Sequence, residues 1–381
     1  MKKIKTIGIF DKEFPSNHSF VDDFFIKNNK SFNSKSYIIC EGFPQARIAR
    51  YHGVIILPKL HRRHGIHRYL NFFLIIRILQ RLKRKNVNLK ILIRNCPILL
   101  FGCAVLKSKR DRLVYQNSFP HENLSTTVKR FAVGKLLKAS QSRVDGLLGI
   151  SPLGLDRLQG LLPNVRESTY IPLCVSRQDI RQPKYENKEH NREFLKFCYI
   201  GTLDRLRAFD RVLSGFEIAT KAGLQAELHV FGGKDGEITF LRSKAQTLSM
   251  SDRINFHGSV SRGWLTKELA TFDVGVSLIP DISIYKEASP TKLVEYMGAG
   301  LPVIASFGCE LQEKIVQESK AGILVTFDDI SIAQGLMRLS RDNRLLTKMS
   351  KNATEYINSN YVYERYIDDF KIIMDLPEIS E

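Results

Sequence analysis

Between Glu41 and Asp111 the chain has no aspartate or glutamate, although 39 of its 381 residues are acidic. Nor does any apolar run reach the roughly 20 residues needed to span a bilayer. Tyr69 to Leu79 is broken by Arg77, and Pro97 to Leu106 is too short, so a soluble or monotopic protein is expected. The basic start MKKIK is followed only by the short run Thr6 to Phe10, which reads as a first strand rather than a secretory signal. There is no DxD pair, no HExxH and no clustered Cys/His set, so no bound metal and no cofactor is expected. The cysteines at 40, 96, 103, 174, 198 and 309 are scattered and are expected to be reduced, buried thiols of a cytoplasmic protein. Internal repeats and low-complexity tracts are absent as well.

What is present is a globular composition, 43% hydrophobic and 25% charged, long enough for two domains. The net charge of +19 is unevenly spread, because the acid-free stretch carries many cations. His67 to Lys85 reads as a helix of large apolar residues, with Arg77, Arg81 and Arg84 at helical spacing and Lys83 and Lys85 beside them. Such a helix can lie on an anionic membrane. It can equally be a crossover helix packed on its own sheet with a solvated basic edge. A nucleic-acid partner would also use the charge, but no recognition motif accompanies it, and none is expected.

Short apolar segments alternate with helical patterns through both halves. Lys5 to Phe10, Ser36 to Cys40, Gly53 to Leu57, Leu89 to Arg94, Arg112 to Gln116 and Gly146 to Ser151 read as strands of a first α/β domain, residues 1–175. Residues 176–192, SRQDIRQPKYENKEHNR up to Arg192, are polar enough for a linker. A second alternation follows over 193–360, with strands at Leu195 to Ile200, Glu227 to Phe231, Arg253 to His257, Val274 to Leu278, Pro302 to Ala305 and Gly322 to Val325. Residues 361–381 form a last helix and tail. Two doubly wound parallel sheets are expected.

The most informative segment is Glu287 to Ser306, EASPTKLVEYMGAGLPVIAS, with glutamates eight positions apart. If a helix begins near Pro290, Glu287 stands just before it and Glu295 on its flank. The helix start offers backbone N–H groups around Ser289 and Thr291 and the positive end of the helix dipole, suited to a diphosphate. Carboxylates beside that anion suit neutral hydroxyls, so Glu287 is assigned to a hexose and Glu295 to a ribose diol. Read without further context, the glycines could simply permit a tight helix-to-strand turn.

Glu287, Glu295, Gly298, Gly300 and Pro302 together resemble the donor-binding signature of retaining GT-B glycosyltransferases of glycosyltransferase family 4. The resemblance implies two Rossmann-like domains facing across a cleft, with the last helix crossing back to the first domain. It implies a nucleotide diphosphate sugar as donor and a saccharide acceptor in surface polysaccharide synthesis; the basic helix at 67–85 adds the expectation of a lipid-linked acceptor at the inner face of the membrane. The loop GTLDRLRAFD after Ile200 looks like the family's Gly-Arg-Leu-x-x-x-Lys segment, with Gly201 close to the ligand and Arg207 as the diphosphate clamp. Thr202 stands where that pattern usually has arginine, and Arg205 or Lys292 could supply the missing cation.

His121, in NSFPHEN, aligns loosely with a histidine that family members place near the donor sugar; it could equally pin its own loop, and Glu122 reads as surface. The first loop, DKEFPSNHSF, lacks the family's paired glycines and leaves Asn17 and His18 as weak acceptor candidates. FGG at 231–233 and FHG at 256–258 fit the family's second-domain pattern, while His229 and His257 read as structural. The family mechanism would be front-face transfer with retention. An inactive GT-B scaffold, a sugar-nucleotide epimerase or a basic nucleic-acid binder are the alternatives.

Overall fold

A computed structural model describes residues 4–13, 19–27, 37–41, 49–51, 54–57, 66–84, 87–118, 120, 127–184 and 194–376. The strands are β1 Ile4–Glu13, β2 Tyr37–Glu41, β3 Ala49–Tyr51, β4 Val54–Leu57, β5 Asn88–Arg94, β6 Arg112–Gln116, β7 Gly146–Gly149, β8 Glu167–Tyr170, β9 Leu195–Ile200, β10 Ala226–Phe231, β11 Ile254–Gly258, β12 Val274–Ser277, β13 Val303–Ser306 and β14 Gly322–Val325. The helices are α1 Ile66–Lys83, α2 Pro97–Leu106, α3 Thr127–Ser140, α4 Pro152–Leu161, α5 Phe209–Lys221, α6 Asp235–Thr247, α7 Arg262–Glu268, α8 Ser283–Lys286, α9 Thr291–Gly298, α10 Glu310–Ser319, α11 Asp329–Ser340, α12 Asn343–Asn360 and α13 Ile367–Met374. The chain divides into one unit of Met1–Pro172 with Glu364–Glu381 and another of Leu173–Tyr363.

The first unit is a sheet in the order β3-β4-β2-β1-β5-β6-β7-β8. Its pairs are parallel except β3 with β4. Edge strands β3 and β8 are additions to the sequence reading; each is short and half-polar, without the apolar run that marks a central strand. β5, by contrast, is buried from Leu89 onward. Helices start where the caps allow: Ser151 Oγ accepts the Gly154 N–H at the head of α4, and Pro97 opens α2.

Asp111, the first acid after the acid-free stretch, ties three elements of this unit together. Its carboxylate accepts from the Leu89 N–H (3.0 Å), the Ser108 N–H (2.8 Å) and the Ser108 hydroxyl (2.7 Å), and pairs with Lys83 Nζ at 2.8 Å. Lys83 also donates to the Leu106 carbonyl. Lys83 therefore staples the end of α1 inside the unit and is not one of the outward cations that the sequence reading grouped with it. Arg77, Arg81 and Arg84 are exposed, and Lys85 lies outside the described residues.

The second unit is an all-parallel sheet in the order β11-β10-β9-β12-β13-β14, so the winding reverses between β9 and β12. Ligands in such sheets bind beyond the carboxyl ends of the strands at that reversal. Residues 176–184, read from sequence as linker, are docked on this unit. The Arg181 N–H donates to the Gly298 carbonyl (2.8 Å), the Lys184 N–H to Ser350 Oγ (2.9 Å), and Lys184 Nζ pairs with the buried Asp273 at 3.0 Å. Lys184 is polar for a fixed partner, while Arg177, Gln178, Arg181 and Gln182 are exposed.

The helix that carries the sequence signature, α9, is positioned by Tyr296. Its ring is fully buried against Gly275 of β12, where a Cβ would lie 2.4 Å away, and its hydroxyl accepts the Ile200 N–H at 2.7 Å. Burial holds the phenol well above its usual pKa.

Two outcomes follow for stability. Burial alone would raise the Asp111 pKa, but hydrogen bonds from Lys83 and Ser108 outweigh it and hold the carboxyl below its ordinary value of 3.8. A depressed folded-state pKa contributes stability above the unfolded value, lost as pH falls through the folded one. Asp111→Asn should therefore cost about 1–3 kcal/mol at neutral pH and flatten the loss of stability in acid, measured by urea unfolding from pH 7 down to 3. Gly275→Ala should cost at least about 1–3 kcal/mol through overpacking on Tyr296, read from the same unfolding curves.

Candidate functional site

The loops after β9 and β12 converge at the reversal of the second sheet, and the second-unit residues singled out as donor-binding lie on them or on α9. After β9, Gly201 is held by its N–H to the Phe231 carbonyl (3.0 Å), and Gly232 donates to the Gly258 carbonyl (2.7 Å). A Cβ on Gly232, whose φ is 108°, would sit 2.0 Å from the Gly201 oxygen. The FGG and FHG turns thus pack strand ends against the Gly201 loop, a role that needs glycine at 232.

Arg207 ends a 3-10 turn, Arg205–Arg207, whose N-cap Asp204 accepts the Arg207 N–H. Its side chain is fixed twice more. Nε donates to Thr202 Oγ1 at 3.2 Å, and the guanidinium stands 4.4 Å from the centroid of the Tyr285 ring. A cation over an aromatic face gains about 0.5–2 kcal/mol, more as water is excluded. Thr202, which departs from the family pattern, is the hydrogen-bond partner that aims this arginine. Arg205 is exposed. The next residue, Ala208, adopts a left-handed conformation (φ 44°, ψ 44°) and leads directly into α5.

After β12 the chain forms α8 and then Glu287, half-buried at the C-cap of that helix. Tyr285 lies two residues before it, so the aromatic partner of Arg207 and Glu287 share one short helix. Pro290 is the N-cap of α9 rather than a first-turn residue, with the Thr291 N–H turned onto the Ser289 carbonyl (2.9 Å). The first helical bond is Val294 N–H to Pro290 O (3.2 Å), so the amides of Lys292 and Leu293 lead the helix dipole. Ser289 is buried, and its hydroxyl accepts the Leu173 N–H at 2.8 Å, a bracing role.

Lys292 Nζ pairs with Glu295 Oε2 at 2.6 Å, with the carboxylate the more buried of the two. Lys292 is thereby committed to Glu295 instead of standing in for the arginine absent at Thr202. Behind this row, Ser306 Oγ accepts the Ile279 N–H and donates to the Ile279 carbonyl (2.7 and 2.6 Å), and Cys309 Sγ donates to the Ala288 carbonyl at 3.4 Å. Burial raises the Cys309 thiol to about 11, which keeps it a neutral donor.

His121, Glu122, Asn17 and His18 lie outside the described residues. His229 and His257 hydrogen bond to each other (3.0 Å), and His229 also to Glu227 (2.9 Å). Burial and the neighbouring His229 lower the His257 pKa. Sequence reasoning missed Tyr285, Tyr296 and Cys309. Their only signals were position, two residues before one signature glutamate, one after the other, and at the head of the next helix.

Residues 181–356 match the family model described as glycosyl transferases group 1. No curated protein matches the chain. Among solved structures, sucrose-phosphate synthase from Thermosynechococcus elongatus is similar over 98% of both chains, with a TM-score of 0.72 at 15% identity. WaaG, a glycosyltransferase involved in lipopolysaccharide biosynthesis, is similar over 97% of this chain and 99% of its own (TM-score 0.69, 14% identity). Anabaena Alr3699/HepE in complex with UDP and glucose is similar over 98% and 99% (TM-score 0.70, 14% identity). The second unit is a group 1 glycosyl transferase domain, and the chain that carries it is a glycosyltransferase of the GT-B fold.

Proposed function

We propose that the chain transfers a hexose-type sugar from a nucleotide diphosphate donor to a saccharide acceptor with retention at the anomeric carbon. The observation that carries this reading is Arg207, aimed by Thr202 and Tyr285 at the loops where the glutamate-flanked start of α9 lies. A diphosphate fits an arginine beside a helix N-terminus, and hydroxyls fit the carboxylates. Structures similar to the chain include complexes with UDP and with a UDP-sugar analogue.

In the proposed reaction the bond from the anomeric carbon to the diphosphate oxygen breaks first. Negative charge then builds on the diphosphate, where Arg207 and the first amides of α9 stabilise it; losing one such donor typically costs about a hundredfold or more in rate. The acceptor oxygen bonds to the carbon on the same face, and its proton passes to the departing phosphate oxygen. Glu287 orients the hexose and Glu295 the ribose. In this reading the charge is met by Arg207 and the helix start, and no metal is required.

The acceptor is proposed to be lipid-linked, at the cytoplasmic face of a membrane, in surface polysaccharide assembly. No helix among the described residues is long and apolar enough to cross a membrane. Helices α1, α2 and α3 are neighbours in the first unit and expose Phe73 (62%), Val105 (65%) and Phe131 (64%). Around these apolar tips stand exposed cations, Arg77, Arg81, Arg84, Lys109, Arg130 and Lys135. Exposed aromatic and aliphatic side chains among cations suit an anionic bilayer surface better than a nucleic acid.

Addition of UDP, GDP, ADP or CMP to the purified chain should raise the melting temperature with one nucleotide only, by the equivalent of about 2.7 kcal/mol at a hundred times its Kd. Glu295→Ala and Tyr285→Leu should both lose that shift while Tyr285→Phe retains it; no shift with any nucleotide would overturn the donor reading. On sucrose-loaded vesicles, the chain should sediment with phosphatidylglycerol and remain in the supernatant with phosphatidylcholine alone. Phe73→Ser with Phe131→Ser should abolish sedimentation, and equal recovery from both lipids would end the membrane proposal.

A further inference from the structure

The chain between β12 and α9 carries Tyr285 and Glu287, and the segment that leads from β13 into α10 grips it at three points. Ser306, the last residue of β13, takes both backbone groups of Ile279: its hydroxyl accepts the Ile279 N–H (2.7 Å) and donates to the Ile279 carbonyl (2.6 Å). Gly308, whose φ is 107°, lies directly against Asp281, where a Cβ would stand 2.7 Å from the Asp281 Cα. Cys309 Sγ donates to the carbonyl of Ala288, the residue after Glu287. Both ends of the segment 279–288 are thereby fixed, with α8 and Glu287 between them.

Behind this grip lies Gln312, fully buried in the first turn of α10. Its Nε2 donates to the Ser306 carbonyl (2.8 Å), and its Oε1 accepts from the hydroxyl of Ser277, the last residue of β12 (2.6 Å). A carbonyl can only accept, so the two ends of the amide have no other assignment. An amide is costly to bury unless it is paired, and an apolar residue would fill the space between helix and sheet without that demand. The sheet does not need the tie for its own register, since Ser277 already stands opposite Ala305 in the last ladder pair of β12 and β13. The amide acts one step further on, where the ladder has ended and the chain turns off toward α8.

We infer that Gln312 is a positioning residue for Glu287: through Ser306 and Ile279 it sets the direction in which the chain leaves β12, and with it the place of the carboxylate that meets the sugar. Being fully buried, Gln312 acts only through other residues. The inference rests on the glycosyl-transfer reading in taking Glu287 as the hexose ligand. Glu295 stands apart from this path, because it belongs to α9, which Tyr296 anchors to β9 and β12. Gln312 therefore bears on the sugar end of the donor, and the nucleoside end serves as an internal reference.

Isothermal titration of the full chain with UDP, GDP and ADP, and with the glucose conjugate of each, tests this. The readout is the ratio of sugar-nucleotide Kd to nucleoside-diphosphate Kd for the base that binds. Gln312→Leu and Glu287→Ala should each raise that ratio about tenfold, the worth of one hydrogen-bonded contact. The double variant should be no worse than Glu287→Ala, because a residue that acts only through Glu287 then has nothing left to act on. A ratio raised about a hundredfold in the double variant, as independent effects would give, overturns the inference, as does an unchanged ratio in Gln312→Leu; both leave the donor reading intact. Failure of the unmodified chain to bind any of the six compounds overturns the donor reading and this inference with it. If Gln312→Leu does not fold, Ser306→Ala breaks the same tie at Ile279 and carries the same cycle.

Discussion

The candidate donor site depends on one close approach. Tyr296 lies flat where β12 has no side chain, and its hydroxyl takes the last amide hydrogen of β9. That contact sets the depth and the rotation of α9 on the sheet. From it follow the facing of Glu295, one residue earlier, and the placing of Pro290 at the mouth of the helix. An aromatic residue one position from a candidate site residue does the mechanical work, and its ring leaves no freedom for the helix to slide.

Charge in the first unit is organised differently. With no acid from residue 42 to 110, cations there cannot neutralise one another's surroundings locally, and the structure uses distant acids for the few it must bury. Asp111 takes Lys83, Asp145 takes Lys107 at 2.5 Å, and Lys90 reaches Asp375 beyond the far end of α13. Arg94 is buried with a hydrogen bond to Ser118, whereas Arg77, Arg81, Arg84, Lys109 and Arg110 are exposed and set the electrostatic character around α1 and α2. Internal pairing and external field therefore come from the same bias in composition.

The architecture was legible because parallel strands buried on both faces read as apolar runs at helix-length intervals. β3 and β8 escaped because edge strands need no such run. The α9 signature was legible through Glu287, Glu295 and the proline between them. What could not be read was the side-chain company of Arg207. Thr202 looked like a lost cation and is the acceptor that orients the one present, while Lys292 looked like a substitute and is held by Glu295. Such pairings join residues five and three positions apart by geometry that pattern alone does not encode. The polar stretch after Ser176 misled for the same reason, since Lys184 is polar because Asp273 awaits it.

Ala208 carries a further meaning. A residue with a Cβ held at φ 44° is about 1 kcal/mol or more less comfortable than a glycine would be there, and it persists only where its flanks dictate the turn. Its flanks are the short coil bearing Arg207 and the first turn of α5, so the arginine is mounted on a spring compressed during folding. The conformational search of this guanidinium is over once the fold has formed, and the entropy of ordering it has been subtracted from the stability of the fold; under the proposed reading, a donor bound there would not meet that cost again.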